Sequence, residues 1–183
     1  CHNIHSKTFC NLNNIFSNFD VNTVAKMDAN IIIEKHWKKH TTPNEDIKWI
    51  RQKRKIGAII NCAIKIKQII DSHKTFRDYL HSFKIPTILN SEEDIGKFWK
   101  SFNNLVLSLT EKRFPYYKNI TTLLHFLSDI GYPCNKPDSV VLKVSKILQI
   151  IAPRIRTNKK GKGVEVYSDK LKIEAIHFIQ EYC

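Results

Sequence analysis

None of the five cysteines stands in a CxxC pair. Cys1, Cys10, Cys62, Cys134 and Cys183 are scattered and odd in number, which fits a reducing compartment and not a disulfide framework. No apolar run reaches membrane-spanning length. The longest candidate, Ile56 to Ile70, is broken by Lys65 and Lys67 and is amphipathic. No secretory h-region opens the chain. There is no internal repeat and no strand pattern stronger than the GVEVY of Gly163–Tyr167. Acids are also scarce: 17 Asp and Glu stand against 30 Lys and Arg, a formal charge of +13. Such a charge favours a polyanionic partner, most simply nucleic acid. A genome rich in Lys, Asn and Ile codons produces the same excess. The first residue is Cys1, not Met, so the chain is read as a fragment or a processed product.

The 183 residues fit one domain, long enough to bury a core without disulfides or a metal. Residues 1–15 are polar, without a sustained period, and are expected to be poorly ordered. Residues 16–183 are expected to form a single helical domain. Asp20 is placed to cap a short helix carrying Val24 and Met27. Asp28 caps another, with Ile31, Ile32 and Trp37 as its apolar side. A loop around Pro43 follows, then a long helix from about Asp46 to Ser72. Its apolar positions, Trp49, Ile56, Ile59, Ile60, Ala63, Ile66 and Ile70, repeat at three- and four-residue spacing. Arg51, Lys53, Arg54, Lys55, Lys65 and Lys67 lie on its polar face. Phe76–Phe83 predicts a short helix. Ser91 caps the next, with Glu92, Glu93 and Asp94 in the first turn, where the helix dipole favours acids. Phe98, Phe102, Leu105, Val106 and Leu109 form its buried side. A turn at Tyr116–Asn119 leads to a helix over Ile120–Ile130, and Asp138 opens a helix to about Ile151. Arg154–Val164 reads as a basic, flexible loop, and Ser168 or Asp169 caps a last helix. The expected fold class is all-α. Trp37, Trp49 and Trp99 fall on apolar faces and read as core.

Two features bear on chemistry. A tight turn before a helix exposes backbone N–H groups that hold a phosphate without reading sequence. Tyr116, Tyr117, Lys118, Asn119 and Thr121 are the residues placed for this; a plain helix–helix turn after Pro115 uses the same positions. Asp138 is the second feature. An ionised carboxylate beside a sugar that is losing its base stabilises the developing positive charge. Asp before an apolar run is also an ordinary N-cap, and the two roles are compatible.

Three segments carry a family resemblance. FSNFDVNTVAKM (Phe16–Met27), WIRQKRKIGAIINCA (Trp49–Ala63) and FRDYLHSF (Phe76–Phe83) occur in this order. They resemble the F-x-x-F-D-x-x-x-V-A-x-M, I-R-x-x-x-K-I-x-A-I-I-x-x-A and F-x-D-F-L-W-S-F segments of the bacterial DNA-3-methyladenine glycosylase I family. Downstream, the order Phe114-Pro115, Gly131, Asp138, Lys143 is similar to that of the wider helix-hairpin-helix glycosylase superfamily. There a glycine-bearing hairpin leads into a helix ending in glycine, followed by a catalytic aspartate and then an arginine. The resemblance implies Asp138 as the catalytic residue. It implies DNA contacts at the Tyr116–Thr121 turn and at Lys143, with Arg51 and Lys53 as further phosphate-binding candidates.

The departures from the family pattern have consequences. The hairpin glycines are absent. Ile120 stands where lyase-active members have a lysine, so no Schiff base is expected and the activity implied is monofunctional. Nothing before Phe16 resembles the family's base-pocket segment, so part of that pocket is expected to be missing. The family's zinc site pairs Cys and His near both ends. Cys1, His2, His5, Cys10, His177 and Cys183 include no closely spaced ligand pair, and Asn135–Asp138 stands where the later His belongs, so neither metal nor cofactor is expected.

The resemblance thus implies a DNA repair N-glycosylase that flips out and excises alkylated purines of the 3-methyladenine type from double-stranded DNA. It would act as a monomer, without a membrane, in a bacterial cytoplasm at the nucleoid or in a eukaryotic nucleus. A reading of another class is a non-catalytic helix-hairpin-helix DNA-binding module, or an inactive glycosylase fragment. A third is an RNA-associated basic helical protein.

Overall fold

The computed structural model describes residues 12–36, 53–117, 119–158 and 161–182. Among these the protein is all-α apart from one two-stranded ribbon. The chain divides into two compact units, Cys1–Tyr79 and Leu80–Cys183.

In the first unit, residues 12–15 form a helical turn. The rest of the segment expected to lack order, like the Pro43 loop, Trp37, Trp49 and Arg51, lies outside the described residues. Ser17, Asn18 and Phe19 all take positive φ, of 49°, 54° and 57°. Asp20 then caps α1 (Val21–Val24), accepting from the Thr23 N–H at 2.8 Å and its hydroxyl at 2.6 Å. Asp28 accepts from the Asn30 N–H at 2.7 Å and opens α2 (Ala29–His36). The apolar side of α2 corrects the sequence expectation. Ile32 and Ile33 pack inward while Ile31 is 62% exposed. Each residue turns the helix by about 100°, so Ile31 cannot share a face with Ile33. Both helices pack on α3 (Lys53–His73), where Ile56, Ile60 and Ala63 form a core with Phe16 and Val24. α4 (Phe76–Ser82) follows, and its Tyr79 meets the His73 ring edge-on at 5.1 Å.

The second unit is built on α5 (Glu92–Glu111). Ser91 and Asp94 bond to each other across its first turn: the Asp94 N–H donates to Ser91 Oγ at 3.2 Å, and the Ser91 hydroxyl to Asp94 Oδ2 at 2.9 Å. Such a box satisfies donors that the helix leaves unpaired. Ile95, Phe98, Trp99, Phe102, Leu105 and Leu109 are buried, whereas Val106, expected on the same side, is only half-buried. Phe98 and Phe102 stack at 6.2 Å, with Trp99 edge-on to Phe102 at 5.5 Å. α6 (Ile120–Asp129) buries Leu123, Leu124 and Leu127. α7 spans Ser139–Ile147, and α8 (Asp169–Tyr182) packs on both α5 and α7.

Two expectations change here. α7 ends well before Ile151 because Gln149 turns into the left-handed region at φ 60°, and the Ile150 N–H reaches back to the Ser145 carbonyl at 2.9 Å. The stretch expected as a loop forms β1 (Arg154–Thr157) and β2 (Gly163–Val166), paired antiparallel with Ile155 opposite Glu165. Alternating Val164 and Val166 carry the β preference. Arg154, Arg156 and the lysines beside them mask the partner strand in the sequence.

Candidate active site

The turn that leads into α6 grows from the end of α5. Arg113 turns left-handed at φ 52°, and the Phe114 N–H returns to the Leu109 carbonyl at 2.8 Å, burying the Phe114 ring. Tyr116 then takes φ 63°. This is the backbone shape that glycine adopts without strain; here a tyrosine holds it. The Tyr116 carbonyl accepts from the Asn119 N–H at 2.8 Å, and Asn119 Oδ1 caps the Thr122 N–H at 3.4 Å. The first-turn N–H groups of Ile120 and Thr121 sit at the positive end of α6, where a helix has no carbonyl to offer them.

The candidate turn residues differ in environment. Tyr116 is exposed, whereas the Tyr117 ring lies between Phe114 at 5.3 Å and Phe126 at 5.0 Å. Thr121 is half-buried in the first turn of α6, and Lys118 lies outside the described residues.

Asp138 is the N-cap of α7. Its Oδ1 accepts from the Val140 N–H at 2.8 Å and the Val141 N–H at 3.0 Å. Those two bonds, with the nearby Lys136 and His125, hold its carboxyl below the ordinary carboxylate value. Asp138 is therefore an anion at neutral pH. Oδ2 takes no hydrogen bond from the described residues, so one oxygen serves the helix and the other remains for a second partner.

His125, the smallest of these influences, is paired with Asp129 at 3.5 Å. It lies in the middle of α6, roughly 8 Å along the axis from Ile120. The loop leading to Asp138 touches α6 where the Cys134 thiol donates to the Leu124 carbonyl at 3.5 Å. Sequence reasoning missed both His125 and Lys136. Lys136 was legible two residues ahead of Asp138; His125 comes near only through folding.

Lys143 is exposed on α7, and its charge acts on Glu165 of β2 together with that of Lys146. Lys53 opens α3 in the other unit and is exposed. Among the described residues no group of three His, Cys, Asp or Glu is placed to hold a metal ion. His177 is engaged with Glu181 at 3.1 Å. The remaining terminal Cys and His candidates lie outside the described residues. Burial pushes the Cys62 thiol up to about 11 and the Cys134 thiol up to about 12, so neither is a nucleophile at neutral pH. A cavity of about 430 Å³ lies between the start of α5 and the end of α8, lined by Asn90, Glu92, Ile95, Gln180 and Tyr182 among others. None of the sequence-predicted site residues lines it, although Gln180 donates to the Pro133 carbonyl at 2.7 Å in the loop leading to Asp138.

The family model for methyladenine glycosylase matches residues 6–114, more than half of the chain. The chain belongs to the methyladenine glycosylase family. A DNA glycosylase role in the general sense, with DNA as the substrate polymer, follows from that membership. No curated protein and no solved structure matches the chain. The match takes in the three segments that resemble the glycosylase I family and ends at Phe114, just ahead of the turn. The turn and Asp138 therefore rest on their own geometry.

Proposed function

We propose that this methyladenine glycosylase is a monofunctional N-glycosylase that hydrolyses the bond between deoxyribose and an alkylated purine, of the 3-methyladenine type, in duplex DNA. The observation that carries the reading is the ionised, half-committed carboxylate of Asp138. An alkylated purine is cationic and leaves readily. The protein then needs to hold the nucleotide out of the helix, anchor the backbone and place negative charge near the sugar. Asp138 Oδ2 is the group for the sugar and for orienting the attacking water. The Tyr116–Thr121 turn is the phosphate anchor through the first N–H groups of α6. Lys143, Lys53 and Arg51 add phosphate contacts, and double-stranded DNA is bound by a monomer without a membrane.

Hydrolysis without an amine intermediate follows from Ile120 at the head of α6. The test is a time course on alkylated duplex, with free base measured by chromatography and strand breaks scored separately. The reading expects free methylated base, strands intact until alkali, and no covalent adduct on borohydride reduction. A borohydride-trapped adduct would replace hydrolysis by lyase chemistry, and no free base would remove the catalytic role.

The end of the family match before Asp138 favours one other reading, a DNA-binding module without catalysis. It expects salt-sensitive duplex binding, no base release, and the same binding after Asp138→Asn.

A further inference from the structure

The ribbon β1–β2 lies outside the family match, and the proposed site does not use it. It is rooted rather than loose. Ile150 and Ile151 at its start and Tyr167 at its end pack with Leu142 of α7 and Leu171 and Ala175 of α8. Its tip is closed by hydrogen bonds. The Asn158 N–H donates to the Lys162 carbonyl at 2.9 Å, the Lys162 N–H to Asn158 Oδ1 at 3.1 Å, and Gly161 supplies the positive φ of 74° that the turn needs.

The register sorts its side chains onto two faces. Arg154 pairs with Val166 and Arg156 with Val164, so these four share one face; Ile155 and Glu165 share the other. Glu165 is bonded to Lys146 of α7 and accepts from the Tyr167 hydroxyl at 2.7 Å. That pairing ties Glu165 itself to α7, while Ile155 on the same face is 68% exposed, so both faces of the ribbon meet solvent and the arginine face is open. Arg154, Arg156 and Lys162 are all exposed, and Val164 and Val166 are 45% and 43% exposed between them. The sequence adds Lys159 and Lys160 between the strands, outside the described residues.

We propose that this ribbon is a second DNA-binding element, whose Arg154, Arg156 and Lys162 grip phosphates of the duplex to one side of the damaged nucleotide. A two-stranded ribbon fits a DNA groove, guanidinium groups pair with phosphate, and the valine methyl groups suit the sugars between phosphates. Its anchor point fixes the reach. Lys146 lies roughly 10 Å along α7 from Ser139, the residue after Asp138. With base pairs stacked about 3.4 Å apart, that length matches about three base pairs of a duplex lying along α7. The inference rests on the glycosylase reading for the choice of partner.

The test is the salt dependence of binding to undamaged duplex, for the full chain and a variant with Arg154→Gln, Arg156→Gln and Lys162→Gln. The variant is expected to bind more weakly. The slope of log affinity against log salt should become shallower by about 2 to 3, near 0.9 for each phosphate that is no longer neutralised. Arg154→Lys with Arg156→Lys keeps the slope. A control with Lys100→Gln, Lys112→Gln and Lys170→Gln, exposed residues elsewhere in the same unit, lowers the charge equally and leaves the slope unchanged. An unchanged slope in the ribbon variant, with native circular dichroism, overturns the proposal. So does a weakening seen only with structured RNA. Base release is measured in parallel. Release with an unchanged ribbon slope sinks the ribbon alone, whereas a changed slope without release sinks the glycosylase reading alone.

Discussion

Replacing Asp138 separates its structural role from its chemical one. Oδ1 holds two N–H groups at the start of α7. Alanine removes both bonds and returns those donors to water. For a cap of this kind in a chain of this length, the melting temperature should fall by about 2–8 °C. Asparagine and serine cap nearly as well as aspartate, so Asp138→Asn and Asp138→Ser should stay within about 2 °C of the original protein. Thermal and urea unfolding followed by circular dichroism measures the series. The pH dependence gives a second reading. The folded-state pKa of Asp138 is depressed, chiefly by the Val141 and Val140 N–H groups. Its ionic contribution is therefore fully present above the unfolded value of about 3.9 and fades as pH falls through the lower folded value. Any stability gap between the original protein and Asp138→Asn should accordingly shrink below about pH 4. An Asp138→Ala protein as stable as the original at pH 7 would refute the capping geometry and with it the placement of the carboxylate.

Three further outcomes follow from the same structure. Tyr116 is exposed and holds φ 63°, so Tyr116→Gly should stabilise by about 1 kcal/mol and Tyr116→Ile should destabilise, both read from urea midpoints. Phe102 is fully buried in the α5 core, and Phe102→Ala should cost about 3–5 kcal/mol in the same assay. With their pKa values pushed up to about 11 and 12, Cys62 and Cys134 should resist thiol reagents at pH 7.5 until the chain unfolds, which mass mapping of the labelled positions checks.

Much of the fold was legible because single residues announce it. Asp20, Asp28, Ser91 and Asp138 each precede an apolar period, and each caps a helix. The buried side of α5 was readable because six large apolar residues repeat every three or four positions. The ribbon was not, because the ion pair that seats it joins Lys146 to Glu165 across a long stretch of chain and no local pattern encodes it. Nor was the end of α7, where a non-glycine residue turns left-handed. At the candidate site, the cap was visible as an isolated aspartate. The influence of His125 on it was not, since no local pattern links residues 13 apart in the chain. The turn carries no glycine in the sequence, yet Tyr116 takes the backbone shape a glycine would.

The most direct test of Asp138 as the reacting carboxylate is the single-turnover rate of base release from alkylated duplex, original protein against Asp138→Asn. The account predicts normal folding and duplex binding with a rate lower by about 10²–10³, the scale on which removing one charge-stabilising group acts. A folded Asp138→Asn protein that releases base at the full rate would contradict it, leaving Asp138 as a helix cap and the chemistry elsewhere in the chain.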